Sequence, residues 1–176
     1  MISITSLSKN HGKLKALDAV SFQIKAGETI GIVGANGAGK STLFQCIAGL
    51  ENHTGKIEYE HGKLKDVLGF LPTNPHFLSK LTGKEYLQLM CNARKLSVTN
   101  IEEKNIFELP LNKYASTYST GMKKKLALTG ILLQKNEVYI LDEPFSGVDL
   151  QSNILLKEII LKLKELNKTV ILSSHI

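Results

Sequence analysis

Apolar and polar residues alternate with period two in Ile2-Ser3-Ile4-Thr5, in Val20-Ser21-Phe22-Gln23-Ile24 and in Gly55-Lys56-Ile57-Glu58-Tyr59. That period sends every second side chain to one side of an extended backbone, so each stretch predicts a short strand. Ala26-Gly27-Glu28 reads as a turn ahead of the next strand, 29–33 (TIGIV), which is short, apolar and β-branched. Residues 67–71 (VLGFL) predict a buried strand stopped by Pro72. The run 137–142 (EVYILD) is apolar almost throughout and predicts a parallel strand covered on both faces. A last strand is expected over 169–173. Helical spacing marks residues 43–48, 82–94 (Tyr86, Leu87, Met90 on one side), 119–133 (Met122, Leu126, Ile131, Leu132 inward) and 150–166. Thr82 with Glu85 three residues on has the spelling of a capping box. Strands that alternate with helices imply an α/β layer structure around a parallel sheet. Internal repeats, low-complexity stretches and linkers are not evident.

Composition narrows the class only a little. At 176 residues, with 43% hydrophobic and 22% charged residues, the chain has the make-up of one globular domain with a real core. No apolar run approaches the roughly 20 residues of a membrane span, and the first residues lack the apolar heart of a signal peptide, so a cytoplasmic site is expected. Cys46 and Cys91 stand alone, which argues against a disulfide frame or a metal knuckle, and the five histidines have no ligand spacing. In that setting the Asn-x-Thr sequences at Asn52 and Asn167 read as coincidence. A net charge of +6 admits an anionic partner, but the lysines are spread out except at Lys123-Lys124-Lys125 and read as a solvated surface.

The chemistry begins at Gly34-Ala35-Asn36-Gly37-Ala38-Gly39-Lys40-Ser41-Thr42, which fits G-x-x-x-x-G-K-[ST] between a predicted strand and a predicted helix. A triphosphate needs several backbone N–H groups converging on it, and small residues let the backbone approach. Gly37, Ala38 and Gly39 provide that approach, and the N-terminus of the following helix adds a positive end. Lys40 is expected to neutralise the β- and γ-phosphates, and Ser41 to offer its hydroxyl to Mg²⁺.

Roughly a hundred residues later, Asp142 and Glu143 close the 137–142 strand. In parallel sheets ligands sit at the carboxyl ends of strands, so both acids should emerge beside the phosphates. Asp142 is expected to hold Mg²⁺ through water, and Glu143 to act as general base for the attacking water. His175 ends the following strand near the same edge, although taken alone it would read as a surface histidine. The three strand ends together point to Mg²⁺-dependent nucleotide hydrolysis.

With Tyr118-Ser119-Thr120-Gly121-Met122-Lys123-Lys124-Lys125-Leu126 in place, the chain resembles the ATP-binding-cassette (ABC) ATPases. The order matches theirs: phosphate loop, signature, Asp-Glu strand, then Ser146-Gly147-Val148-Asp149 like the D-loop and His175 like the switch histidine. The resemblance covers essentially the whole chain. It implies a P-loop NTPase fold, α/β, with a parallel sheet core, an N-terminal antiparallel β subdomain and an inserted helical signature subdomain. Core and β lobe would span about 1–72 and 135–176, the helical lobe about 73–134, and the C-terminal end of the family domain would be missing beyond Ile176.

The resemblance also implies ATP and Mg²⁺ as ligands. It further implies a head-to-tail dimer, of like or related subunits, that sandwiches ATP between the loop of one copy and Ser119 and Gly121 of the other. His11 stands where the family usually stacks a larger aromatic ring on adenine. Thr73 stands where its loop glutamine would touch Mg²⁺, with Asn74 as the alternative. The expected role is the cytoplasmic ATPase of a transporter, peripheral on the inner face of the membrane through a separate membrane-spanning permease. The YSTGM spelling leans towards export. The surface for the permease would lie between about 75 and 113; Pro75, His76, Phe77 and Leu78 are candidates, with Phe77 and Leu78 as simple helix anchors the alternative. A soluble ABC ATPase acting on ribosomes or nucleic acid is the competing class, and a low-turnover ATP-dependent clamp a third. The interval from Thr73 to Ser119 is too short for a chromosome-type heptad arm and only one cassette is present, so no nucleic acid is expected.

Overall fold

The computed structural model describes residues 1–97 and 99–175. Strand β1 (Ile2–His11) pairs antiparallel with β2 (Leu14–Ile24), and the chain then runs into β3 (Thr29–Val33), α1 (Lys40–Ile47) and β4 (Thr54–Tyr59). Strand β4 returns to the free side of β1, closing a three-stranded antiparallel sheet of order β2-β1-β4. Both hairpin strands extend well past the stretches that alternate in sequence. Register shifts between Ile4 and Leu7, Leu7 and Lys9, and Lys9 and Asn10 break the period of two, so the pattern fades while the ladder continues. Ser21 Oγ accepts from the Ser6 N–H and Ser8 Oγ from the Ala19 N–H, which satisfies backbone donors that the irregular ladder leaves over.

The second half carries β5 (Leu68–Leu71), α2 (Gly83–Ala93), α3 (Thr120–Leu133), β6 (Val138–Leu141), α4 (Leu150–Glu165) and β7 (Thr169–Ser174). Strands β3, β7, β6 and β5 form a parallel sheet in that order. Central β6 is buried at every position, as its unbroken apolar run predicts. Edge strand β3 is different: Gly31 is exposed and Val33 is 67% exposed, so its apolar spelling does not mean full burial.

Three apolar clusters hold these layers. The first joins the antiparallel sheet and α1 to one face of the parallel sheet, through Ile2, Ile4, Leu7, Phe44, Ile140 and Ile171. The second lies on the other face under α3 and α4, with Leu71, Leu128, Ile131, Tyr139, Leu156 and Val170. The third gathers Leu87, Ile101, Leu109, Leu111, Tyr118 and Leu126 around α2 and its neighbouring loops. Helix α3 belongs to two of them, giving Leu126 to the third cluster and Ala127, Leu128 and Ile131 to the second. The expected capping box opens α2, where the Thr82 hydroxyl accepts from the Glu85 N–H and the Glu85 carboxylate from the Thr82 N–H. Phe77 packs edge-on against Tyr86 with ring centroids 4.7 Å apart and so anchors α2, whereas Leu78 is 70% exposed.

Candidate functional site

The parallel strands β3, β5, β6 and β7 end on one edge, and the loops leaving β3, β5 and β6, with the tip of the β1–β2 hairpin, build a cleft of about 440 Å³. His11, Asn36, Gly37, Gly39, Lys40, Ser41, Thr42, Thr73 and Glu143 are among its lining residues. The loop from Gly34 to Gly39 turns because Gly37 (φ +82°) and Gly39 (φ +90°) adopt left-handed conformations that residues with a side chain rarely take. Gly39 is under a second constraint: a Cβ there would stand 2.5 Å from the Ala16 carbonyl oxygen. The loop is therefore shaped both by its own torsions and by the strand behind it.

Lys40 begins α1 and is only 7% exposed. Its ammonium donates to the carbonyls of Gly34 at 2.6 Å and Ala35 at 3.1 Å, and lies 3.8 Å from Glu143 Oε1. The remaining loop residues, Ala35, Asn36 and Ala38, are exposed, as is Ser41, while Thr42 is half-buried. His11 reaches the same cleft, its Nε2 3.5 Å from Thr42 Oγ1.

Behind the loop stand the two acids. Asp142 is 2% exposed, accepting from Thr73 Oγ1 on one carboxylate oxygen and from Ser173 Oγ on the other, each at 2.7 Å. Each oxygen retains a lone pair for a further donor or a water on an ion. Glu143 has φ +48°, the left-handed region, and its carboxylate points between Lys40 and His175, whose Nδ1 is 3.5 Å from Oε2. The Glu143 N–H donates to Ser173 Oγ at 2.8 Å. One hydroxyl thus ties both acids to β7. Sequence reasoning passed over Ser173; its only signal is its place in β7, in register with β3 at Ile32, two residues before His175.

Ser119 caps α3, its hydroxyl accepting from the Met122 N–H at 3.3 Å, and is exposed. Ser119 and Gly121 do not line the cleft that holds Lys40. The lysine run that follows corrects the reading of a solvated surface. Lys124 is 3% exposed, and its ammonium donates to the carbonyls of Glu143 and Ser146, each at 2.8 Å. Burial holds this ammonium below the ordinary lysine range, an effect the charges of Glu143 and Asp142 oppose. Lys125 pairs with Asp149, the N-cap of α4, at 3.0 Å. The N–H of Ser152 is the main cause of a depressed Asp149 pKa, with Lys125 and the Ser152 hydroxyl adding to it. Charge spacing alone cannot reveal such burial, because the partners are carbonyls of a loop about twenty residues away.

The donors present suit a magnesium-bound triphosphate. The glycine-shaped loop leaves room for phosphate oxygens, Lys40 supplies a cation facing it, and Ser41, Thr73 and Asp142 offer the hard oxygens that Mg²⁺ prefers.

Comparison with known proteins agrees with this arrangement. The sequence pattern of the family described as ABC transporter matches residues 17–146. An ABC transporter ATP-binding protein of Methanocaldococcus jannaschii is 34% identical over 99% of this chain and 68% of its own length. The linearmycin resistance ATP-binding protein of Bacillus subtilis is 33% identical over 99% of this chain and 61% of its own length. Among solved structures, the ATP-binding subunit of an ABC transporter superposes with a TM-score of 0.84 at 29% identity, covering 99% of this chain and 79% of that one. A dimeric ATP-binding cassette in a post-hydrolysis state, bound to ADP and phosphate, shares the fold with a TM-score of 0.87 at 21% identity, over 100% of this chain and 88% of that one.

Proposed function

Because the chain belongs to the ABC transporter family, we propose that it is a transporter's ATP-hydrolysing subunit, driving an unidentified substrate through a separate membrane-spanning partner. The observation that carries this reading is the Glu143 carboxylate, held between Lys40 and His175 at the mouth of the glycine loop.

In this reading Gly34, Ala35, Asn36, Gly37, Ala38, Gly39 and Thr42 form the phosphate cradle, and His11 meets the adenine. Lys40 exchanges its two carbonyl partners for β- and γ-phosphate oxygens. Ser41 and Asp142, with Thr73 beside them, hold Mg²⁺, which neutralises charge on the phosphates when bound. Glu143 accepts the proton of a water whose oxygen attacks the γ-phosphorus as the bond to the β-phosphate oxygen breaks, leaving ADP and phosphate. His175 donates towards the γ-phosphate. Ser119 and Gly121 serve the nucleotide of a second ABC subunit, so the active unit is a dimer, and the exposed N-terminus of α3 suits that task.

In the division into a core and β lobe (1–72 and 135–176) and a helical lobe (73–134), the helical lobe has its own cluster around α2, with exposed Leu78 on the permease-facing side, while α3 joins it to the sheet through Ala127, Leu128 and Ile131. Among the described residues no helix is long and apolar enough to cross a membrane, which fits a subunit that reaches the cytoplasmic face of the membrane through its partner. Export is favoured by the Tyr118–Met122 spelling and by likeness to a linearmycin resistance protein.

The test is phosphate release with Mg²⁺ and ATP over a range of chain concentration, joined to capture by the Glu143→Gln chain from detergent-solubilised cells with ATP. The expected result is turnover per chain that rises with concentration, and recovery of a multi-span membrane protein. Turnover independent of concentration on verified monomer would overturn the dimer. Recovery of ribosomes or chromosome proteins alone would move the chain to the soluble class.

A further inference from the structure

Lys124 has no part in the reaction described above, yet it is buried and touches that reaction's base through the backbone. Burying an ammonium is costly unless it is hydrogen-bonded, and here two carbonyls accept from it: Glu143 O and Ser146 O, each at 2.8 Å. Glu143 itself sits at φ +48°, a conformation that a side-chain-bearing residue holds only when its surroundings enforce it. The enforcement comes from both sides. Its N–H donates to Ser173 Oγ at 2.8 Å, and its C=O accepts from Lys124 at 2.8 Å and, across the turn, from the Ser146 N–H at 3.2 Å. That backbone torsion sets the direction in which the Glu143 side chain leaves the chain, and its carboxylate ends between Lys40 and His175.

Lys124 also lies five residues after Ser119, in the first turns of the same helix. Gly121 of that helix lies against Gly147, where a Cβ would be 2.6 Å from the carbonyl oxygen, and Lys125 pairs with Asp149. The start of α3 is therefore fastened at three points to the loop 143–149.

We propose that Lys124 is a positioning residue for hydrolysis: it locks the Glu143 backbone so that the carboxylate faces the attacking water, and it ties that geometry to the helix whose N-terminus meets the partner's nucleotide. The inference rests on the ATPase reading above. Engagement of Ser119 by a second subunit is then felt at the Glu143 of the same chain. At 3% exposure Lys124 cannot itself meet a partner's phosphate, which separates it from Ser119.

The test compares Lys124→Met and Lys124→Arg with the native chain for Kd and KM of ATP, kcat, thermal stability, and ATP-driven dimerisation in a Glu143→Gln background. Lys124→Met is expected to lose about 10²-fold in kcat while Kd and KM stay within about two-fold and dimerisation persists. Lys124→Arg, which keeps donors and charge, is expected to recover most of kcat. A Met variant that turns over at the native rate overturns the proposal, as does one whose Kd weakens in step with kcat. Should Lys124→Met fail to fold, Lys124→Gln, which retains one donor group, carries the same comparison. A native chain that does not hydrolyse ATP overturns the ATPase reading instead.

Discussion

Gly121 approaches Gly147 so closely that a Cβ on the first would stand 2.6 Å from the carbonyl oxygen of the second. Backbone, not a flexible side chain, fills that space. Gly121→Ala must therefore push α3 and the 143–149 loop apart. The expected loss is about 1–3 kcal/mol of stability, as for other overpacked sites, with a fall in kcat larger than any change in ATP affinity. Denaturant melts and steady-state kinetics check both. Gly147→Ala meets no neighbour within 4 Å, so its cost should come only from its φ of +72° and be the smaller of the two in stability.

Ser173→Ala removes the hydroxyl that accepts from the Glu143 N–H and donates to Asp142. A buried donor left without a partner costs about 1–3 kcal/mol, and Glu143 loses one of the three hydrogen bonds on its backbone, those from Lys124 and the Ser146 N–H remaining. Turnover should fall by about ten-fold or more while ATP affinity changes little. Equilibrium binding of a fluorescent ATP analogue alongside phosphate release separates the two effects.

Thr73→Val keeps the shape of the side chain but deletes the donor to Asp142 Oδ2. Groups that orient a metal-binding carboxylate typically change metal affinity by about ten-fold or more. The free Mg²⁺ concentration giving half-maximal turnover should rise by about that factor, with maximal turnover nearly restored at high Mg²⁺. An unchanged Mg²⁺ titration would remove Thr73 from the ion site.

Asp149 has a depressed pKa, chiefly through the Ser152 N–H that it caps. A group whose folded value is depressed contributes stability that is complete above its unfolded value of about 4 and is lost as pH falls through the folded value. Asp149→Ala should therefore lower the melting temperature by a constant amount between about pH 8 and pH 5, and the gap should narrow below about pH 4. Thermal melts of both chains across that range provide the measurement.

Much of the site was legible because its chemistry is local in the chain. Gly37 and Gly39 must be glycine for the loop to turn, and Lys40 must follow them at the head of α1; such constraints are spelled out in consecutive residues. The apolar run before Asp142 likewise announced a covered central strand whose end carries the acids. The extents of β1 and β2 were not legible, since register shifts break the alternation by which a strand is recognised. The lysine run after Gly121 misled for a related reason: three consecutive lysines look solvated until the fold brings carbonyl oxygens to one of them.

The sequence by itself determined the phosphate loop, the acid pair, the strand–helix order and the family, because each rests on short motifs of neighbouring residues and on the order of those motifs along the chain. Only the tertiary structure decided that Ser173 bridges Asp142 and Glu143, that Thr73 serves Asp142, and that Lys124 grips the Glu143 carbonyl. Those contacts join residues 19 to 69 positions apart, and chain order carries no record of which polar group a buried hydroxyl or ammonium will meet.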